Sequence, residues 1–237
     1  MSRWSQTHSA SGALLTVVAD NAGFFADATL GSLNIQSDEI NFAANLTTTA
    51  SIKFIGPITL LDDVTLTGAT IELNEVDAAE GTDASLILVG ETTLLSALGS
   101  NQPLGHLTAG KLNANDGDVE LKANNSFTGD TDAISGDLMV TGAIAGNVLV
   151  SDATLSGNGA IAGDVHLGAD GLLAPTPHAT NVLTIVGDLV FDDEAGFVLR
   201  GTDANTLGRV QADSVEWFRT NHHSRNIASN KSDSAIE

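Results

Sequence analysis

The sequence contains no cysteine and no tyrosine, and only four of its 237 residues are proline and two are tryptophan. The absence of cysteine excludes disulfide bonds, thiol catalysis and thiolate metal sites. Because large aromatic residues are scarce, the core must consist mainly of Ala, Val, Ile and Leu. Such a composition suits a narrow interior of regularly stacked strands.

Basic residues are also few, since nine Lys and Arg stand against 30 Asp and Glu, for a formal net charge of −21. This charge repels nucleic acid and anionic membranes, so we expect neither as a partner. Acidic surfaces attract Ca²⁺, but the Gly-Gly-x-Gly-x-Asp unit of calcium-binding β-rolls is missing; Asp116-Gly-Asp118 is a turn fragment. We predict no metal site and no cofactor.

Long apolar runs are missing as well. No run approaches the roughly 18 apolar residues of a membrane span, and Met1–Gly12 lacks the apolar stretch of a signal peptide. We therefore expect no membrane insertion by this segment. If the parent protein is exported, we expect its export signal to lie outside these residues.

What the sequence does contain is a strand-and-turn rhythm. Apolar and polar residues alternate in short bursts from about Leu14 to Val215, as in Ala50–Phe54 and Asp118–Lys122, and 24 glycines with many Asn and Asp residues separate the bursts. Period-two alternation predicts short strands with one buried face. The fold class should be all-β.

Two internal repeats favour a stacked architecture. Gly142-Ala-Ile-Ala-Gly-Asn-Val recurs as Gly159-Ala-Ile-Ala-Gly-Asp-Val, which defines a 17-residue repeat, and a shorter Gly-[Asp/Asn]-[Leu/Val] core also occurs at Gly136 and Gly187. We expect Gly146, Gly163 and Gly187 to occupy corners with positive φ. A second, 74-residue repeat is suggested by Leu30-Gly-Ser-Leu33 and Leu104-Gly-His-Leu107, which we interpret as a unit of about three coils.

The stretch Ala153–Pro175, followed by Leu183–Phe191, resembles the passenger repeats of bacterial autotransporters, and the resemblance covers roughly Ile134 to Val215. The family pattern has Gly after the proline, where this chain has Thr176-Pro177. The upstream block from Ile55 to Leu107 looks like repeats of filamentous-haemagglutinin-like surface proteins. Both resemblances imply a right-handed parallel β-helix at the cell surface that acts as an adhesin, biofilm component or stalk.

These observations divide the chain into four segments. Residues 1–13 are expected to be irregular, 14–133 to form degenerate solenoid repeats, and 134–215 to form autotransporter-like β-helix repeats. Residues 216–237 are polar, with Arg219, Arg225 and Lys231 balancing Glu216, Asp233 and Glu237. We predict that this tail is disordered.

Candidate catalytic groups all have a simpler interpretation as solvated turns or tail. The acidic pairs Asp62-Asp63 and Asp192-Asp193-Glu194 lie where turns are expected. A polysaccharide-cleaving β-helix needs basic residues near carboxylates, and Arg200, close in sequence to Asp192 and Asp193, is a weak candidate beside Lys53, Lys111, Lys122 and Arg209. The dispersed histidines form no metal-ligand spacing: His8, His106, His166, His178, His222 and His223.

Gly157-Asn-Gly159-Ala-Ile-Ala-Gly163 misses the dinucleotide-binding spacing and should be a solenoid corner. No nucleophile elbow occurs. We therefore predict no catalytic, cofactor-binding or metal-binding residue, and no enzyme activity.

The function expected from the sequence is that of a structural or adhesive segment of a bacterial cell-surface or secreted repeat protein. Its partners would be glycans or cell-surface proteins, and its location extracellular or at the cell surface as part of a longer exported protein. Two alternatives remain open: a glycan-active lyase or hydrolase on the same scaffold, and a non-functional fragment of a longer surface protein. A groove where acidic and basic side chains converge on successive coils would favour the enzyme.

Overall fold

The structure, a computed structural model, describes residues 2–4, 9–94, 97–110, 118–177, 182–201, 207–218 and 235–236. In these ranges the chain is all-β, without a helix, and its strands stack in parallel as a β-solenoid. The predicted fold class is confirmed. Accordingly, the described residues include no helix of the length and apolar character that a membrane crossing requires.

The solenoid consists of many short strands and a few long ones near its N-terminal end. In chain order they are β1 (Ser2–Trp4), β2 (Ser9–Phe24), β3 (Ala28–Phe42), β4 (Leu46–Thr48), β5 (Ser51–Ile55), β6 (Ile58–Leu60), β7 (Val64–Leu73), β8 (Val76–Ala78), β9 (Leu86–Leu94), β10 (Leu107–Ala109), β11 (Val119–Leu121), β12 (Asn124–Asn125), β13 (Thr131–Ala133), β14 (Gly136–Val140), β15 (Ala143–Ile144), β16 (Val148–Val150), β17 (Ala153–Gly157), β18 (Ala160–Ile161), β19 (Val165–Leu167), β20 (Leu172–Pro175), β21 (Leu183–Ile185), β22 (Asp188–Phe191), β23 (Gly196–Phe197), β24 (Val210–Gln211), β25 (Ser214–Trp217) and β26 (Ala235–Ile236).

Residues in register on successive coils form continuous rows along the solenoid. One row, called here the long row, runs from β2 to β23: Leu15, Leu33, Ile52, Ile71, Thr92, Val119, Leu138, Leu155, Leu173 and Phe197. Inner members such as Leu33 and Leu155 are fully buried, whereas Leu15 and Phe197 at the ends are only partly buried. Each inner coil is thus covered by the coils on both sides, and a single core extends along the axis.

The 17-residue repeat is confirmed as the coil period of the central C-terminal coils. Val148 pairs with Val165, and Ala143 pairs with Ala160, so each residue meets its counterpart in the next repeat. The Gly157–Gly163 run is indeed a corner, because β17 ends at Gly157 and β18 begins at Ala160. Of the four Gly-[Asp/Asn]-[Leu/Val] copies, however, the one at Gly136 places Leu138 in the long row, whereas Val148, Val165 and Leu189 form a different row.

The 74-residue repeat is wrong as a structural unit. Leu33 belongs to the long row, which continues to Val119, whereas Leu107 stacks on Leu86 in another row. The two Leu-Gly-x-Leu segments therefore occupy different faces of the solenoid. Their similarity reflects a shared strand composition, since inward positions throughout this core are small or branched aliphatic residues.

Both predicted terminal boundaries need correction. Residues 1–13 were expected to be irregular, yet β1 pairs in parallel with Ala22–Phe24, and β2 begins at Ser9. At the other end, Glu216 and Trp217 continue β25 in register with Val190 and Phe191. Beyond them, Ala235 and Ile236 pair antiparallel with β24. The rest of the tail predicted to be disordered, 219–234 and Glu237, lies outside the described residues.

The reason for glycine at the repeat corners is also different from the one predicted. The described glycines with positive φ are Gly56, Gly81, Gly90, Gly99, Gly110, Gly136 and Gly157, so Gly146, Gly163 and Gly187 are not among them. Instead, a Cβ at Gly163 would overlap Asn147 Oδ1 and the Gly146 backbone, and one at Gly187 would overlap Asp164 Oδ1. Glycine is required there by the close approach of stacked backbones.

Candidate binding surface

The C-terminal coils carry a line of polar side chains along one corner, which we call the corner ladder: Asp130, Asn147, Asp164, Asp188 and Ser214. The Asn147 amide donates to Asp130 Oδ1 at 3.0 Å, and the backbone N–H of Asp164 donates to Asn147 Oδ1 at 2.9 Å. The Asp188 N–H donates to Asp164 Oδ1 at 2.9 Å, and the Ser214 hydroxyl donates to Asp188 Oδ1 at 2.6 Å. Each side chain thus links its own coil to a neighbouring one.

The corner ladder explains the Asp or Asn in the repeat motif. The motif's glycine lets two coils approach each other. The Asx side chain that follows it then accepts a hydrogen bond from a backbone N–H on the next coil, which would otherwise lack a partner at the corner. A shorter equivalent exists upstream, where Asn45 N–H donates to Asp27 Oδ1 and Thr65 N–H donates to Asn45 Oδ1, both at 2.8 Å. These acidic residues therefore have a structural role in coil stacking.

The acidic pairs singled out in the sequence lie between strands, where Asp62 and Asp63 are exposed and Asp192 and Asp193 are partly exposed. Asp62 Oδ1 accepts the Asp63 N–H at 2.9 Å, and Asp63 Oδ1 accepts the N–H of Ser85 on the next coil at 2.8 Å. Asp192 Oδ1 lies 2.9 Å from Nε2 of His166 on the neighbouring coil, and Glu194 follows in a turn with φ of 74°. These bonds fit turn and coil-linking roles.

Two of the basic residues considered for catalysis pair with neighbouring acids. Lys53 Nζ lies 2.6 Å from Glu72, and Lys122 Nζ lies 3.1 Å from Glu120. Lys111 lies outside the described residues, as do His8, His178, His222 and His223. His106 Nδ1 is 3.1 Å from the backbone oxygen of Asp130.

One group on the outer face does bring opposite charges together, and we call it the Asp137 cluster: Asp118, Asp137, Ser156 and Arg200. The Ser156 hydroxyl donates to Asp137 Oδ1 at 2.6 Å, and the Asp137 N–H donates to Asp118 Oδ1 at 3.0 Å. Ser156 is 6% exposed although it faces outward. Burial raises the pKa of Asp137, and hydrogen bonding from Ser156 partly offsets that rise; the Asp118 charge adds to it and the Arg200 charge opposes it.

The Asp137 cluster adds a carboxyl group to the two that lie near Arg200 in sequence, Asp192 and Asp193. Arg200 acts electrostatically on Asp137, which lies far earlier in the sequence and several coils away. Asp118, Asp137 and Ser156 occupy successive coils, because Val119 pairs with Leu138 and Leu138 with Leu155. Sequence reasoning missed the cluster, since only the coil register brings its members together.

A second outward row combines charged and apolar side chains. It runs through Thr108, Asp132, Leu149, His166, Val190 and Glu216. Burial raises the pKa of Asp132, and the charge of His106 opposes that rise. The row thus places charged, polar and apolar side chains side by side on successive coils.

Within the described ranges, no three His, Cys, Asp or Glu side chains are placed to hold a metal ion. Comparisons with protein-family models, with curated proteins and with solved structures find no match to this chain. The class of protein that the fold itself defines is therefore a parallel β-solenoid repeat protein.

Proposed function

We propose that this chain is a structural and adhesive rod segment of an exported bacterial surface protein. The carrying observation is the long row, which runs through successive parallel coils from Leu15 to Phe197. A stack of this kind gives length with little sequence complexity, and each added coil extends the outer surface by one strand spacing. Its role would be to present weak binding positions repeatedly at a distance from the cell.

Two further features support this proposal. The Asx side chains of the corner ladder hold neighbouring coils together, which suits an extended stalk. The outward row through Asp132, Leu149 and His166 offers hydrogen-bonding groups beside apolar ones, the combination with which proteins bind glycans and polypeptide surfaces. The autotransporter and haemagglutinin resemblances agree with such a role.

The test is a binding assay at two densities of the full chain. Beads coated densely and sparsely are offered to arrays of glycans and of extracellular proteins. Weak repeated contacts predict binding by the dense beads and its loss on the sparse ones, because avidity multiplies weak affinities. A variant with Leu149→Ser and His166→Ser should reduce that binding, and Ser151→Ala, exposed at the neighbouring corner, is its control. Failure of dense beads to bind any glycan or protein would refute the adhesive role.

The Asp137 cluster favours one second candidate, a glycan-active enzyme. Two carboxyl groups on successive coils, with the charge of Arg200 acting on Asp137 from several coils away, supply the combination of acidic and basic groups expected of a polysaccharide-cleaving β-helix. Burial raises the pKa of Asp137 in the direction needed for a general acid. The test is release of reducing ends or unsaturated products from neutral and acidic polysaccharides. An enzyme must lose that activity in Asp137→Asn, and wild-type inactivity on all of them would reject this candidate.

A further inference from the structure

A groove lies on the outer surface of the N-terminal coils, at the corner where the chain turns from β5 to β6. Its volume is about 520 Å³, within the range of roughly 300–1,000 Å³ that small-ligand sites have. We call it the upstream groove. The side chains that give it its chemistry belong to Val18, Asp20, Gln36, Asp38, Ile55 and Asn74.

Four successive coils contribute to the upstream groove. Val18 pairs with Gln36, and Gln36 pairs with Ile55, while Asn74 directly follows β7, the strand that pairs with β5. Because neighbouring strands lie about 4.8 Å apart, the groove extends over roughly 14 Å in the stacking direction. A further coil before β2 would lengthen this groove and leave its outward opening free.

The floor of the upstream groove is backbone that is already paired between coils. The Ile40 N–H donates to the Pro57 oxygen at 3.0 Å. Gly56 has a φ of 129°, and a Cβ there would overlap the backbone oxygen of Ser37, so the two coils are in close contact. A polypeptide therefore finds no open strand edge here, and one lying in the groove would cross the strands instead of extending the sheet.

The polar side chains of the upstream groove do not link coils. In the described part of the chain, no hydrogen bond or ion pair engages the side chains of Asp20, Gln36, Asp38 or Asn74, in contrast to the side chains of the corner ladder. Asp20 and Asp38 are like charges on neighbouring coils, an unfavourable arrangement, and none of the described lining residues is basic. These four side chains are therefore free to bind a ligand.

Apolar side chains lie between these polar groups. Val18 is 74% exposed and Ile55 is 40% exposed, and Gln36 lies between them in register. Carboxylates accept hydrogen bonds from hydroxyl groups, and carboxamides both donate and accept. Exposed apolar side chains in turn cover the C–H face of a sugar ring. Anionic ligands are repelled, because the net charge is −21 and the described lining contains no base.

We propose that the upstream groove binds a short, uncharged oligosaccharide along the solenoid axis. Gln36 and Asn74 would hydrogen-bond to its hydroxyl and ring oxygens, Asp20 and Asp38 would accept its hydroxyl protons, and Val18 and Ile55 would contact its apolar face. This inference rests on the adhesive function proposed above for its ligand class. Its site is nevertheless separate from the outward row through Leu149 and His166, which belongs to later coils.

The experiment is a ¹H–¹⁵N NMR titration of the full chain with cellotriose, maltotriose, mannotriose and tri-N-acetylchitotriose. The shifts should concentrate at the backbone N–H groups of Ser37 and Gly56 and at the side-chain amides of Gln36 and Asn74. The double variant Gln36→Ala and Asn74→Ala should weaken binding about tenfold or more, because hydrogen bonds to the sugar are lost. Asn124→Ala removes an exposed carboxamide from another face and should bind like wild type.

A second variant blocks the upstream groove without removing a polar group. Ile55→Arg places a long side chain beside Asp38 and should abolish the shifts. Leu61→Arg, at a 38%-exposed position outside the groove, is its matched control. Circular dichroism verifies the fold of each variant. Because no ion pair forms with an uncharged sugar, added NaCl should leave its affinity unchanged.

The outcomes separate this site from the general adhesive role. If dense beads bind glycans or proteins but none of the four trisaccharides shifts the groove resonances, this inference is overturned and the adhesive role stands. Groove shifts that persist in the Leu149→Ser and His166→Ser variant would support a separate site. Groove shifts produced by CaCl₂ alone, by a heparin oligosaccharide or by oligolysine, and by none of the neutral sugars, would also overturn the inference.

Discussion

The N-terminal and C-terminal coils form the same solenoid by different means. Upstream, strands are long, with 16 residues in β2 and 15 in β3, and Phe24, Phe42 and Phe54 pack in the core. In the central C-terminal coils, strands have two to five residues, and glycine with the corner ladder makes the turns.

Upstream coils also vary in length, as the hydrogen bonds between neighbouring coils show. The partners are 18 positions apart for Asn45 and Asp27, 20 for Thr65 and Asn45, and 22 for Ser85 and Asp63. In the central C-terminal coils, by contrast, the corner bonds that join Asn147 to Asp130 and Asp164 to Asn147 both have a separation of 17.

The comparison shows that the Gly-Asx corner sets how closely two coils approach, whereas the residues between corners set the coil length. Ala133, Val150 and Leu167 stack at a constant interval of 17 residues, but the same close contact at Gly187 joins Asp188 to Asp164 over 24 residues. Where larger side chains fill the interior and long strands bend through the corner, insertions of a few residues are tolerated. The regular part is therefore detectable in sequence, and the irregular part is not.

The largest effect should come from the aromatic core upstream. Phe42→Ala removes a 1%-exposed ring that stacks on Phe24 at 4.7 Å, and should cost about 4 kcal/mol of unfolding free energy. Hydrogen exchange should show lost protection in β3 to β6 while β16 to β22 stay protected, because repeat coils depend mainly on their neighbours. Phe25→Ala, at a 43%-exposed position, is the control. An equal loss of hydrogen-exchange protection in both halves would mean that the two regions unfold as one unit.

The next largest loss of stability is expected at the close backbone contact of the downstream corner. Gly163→Ala should destabilise by about 2 kcal/mol, because its Cβ would overlap the Gly146 backbone and Asn147 Oδ1. Gly168→Ala is the matched control, since a Cβ there would lie 3.5 Å from the Val150 oxygen, in ordinary contact. Chemical denaturation measures both. Similar midpoints for the two variants would show that the regular coil spacing does not depend on backbone contact.

A smaller effect is expected for the corner ladder itself. Asp164→Ala leaves the Asp188 N–H without its acceptor and should cost about 1 kcal/mol. Asp164→Asn keeps the acceptor oxygen and should restore most of that stability, as Asn147 serves at the same position one coil earlier. If Asn fails to rescue, the carboxylate charge rather than the hydrogen bond stabilises the corner.

The smallest effect concerns Asp137 and pH. Because burial raises the pKa of Asp137 above its ordinary 3.8 in the folded state, the folded chain binds this proton more tightly than the unfolded chain does. The Asp137 contribution therefore favours folding below pH 3.8 and is lost as pH rises through the folded pKa. Asp137→Asn removes this dependence and retains an acceptor for Ser156.

We expect the unfolding free energy of wild type to exceed that of Asp137→Asn by less and less as pH rises across that window. Denaturation from acidic to neutral pH measures both. A flat difference would mean that the folded carboxyl titrates as it does in the unfolded chain. A rising difference would mean that Arg200 and Ser156 outweigh burial. Ser151→Ala, which removes no titratable group from an exposed position, serves as the control.

Composition and periodicity were enough for the fold class and for the coil period around residues 131–167. Alternating apolar residues require a buried face, and short strands that cannot bury it alone must stack. The repeat was visible because backbone contact at Gly146 and Gly163 requires glycine, leaving the same residue on each coil.

Only the tertiary structure decided the register between coils, where the first and last strands lie, and which outer side chains are neighbours. It placed Leu33 and Leu107 in different rows, extended the solenoid through β1 and Trp217, and brought Arg200 close enough to act on Asp137. Residues on successive coils are separated by about one coil of sequence, and variable upstream coil lengths make their alignment invisible in the linear pattern. The sequence by itself determined that strands would stack; the coil-by-coil register, fixed by side-chain packing, determined which outer residues meet.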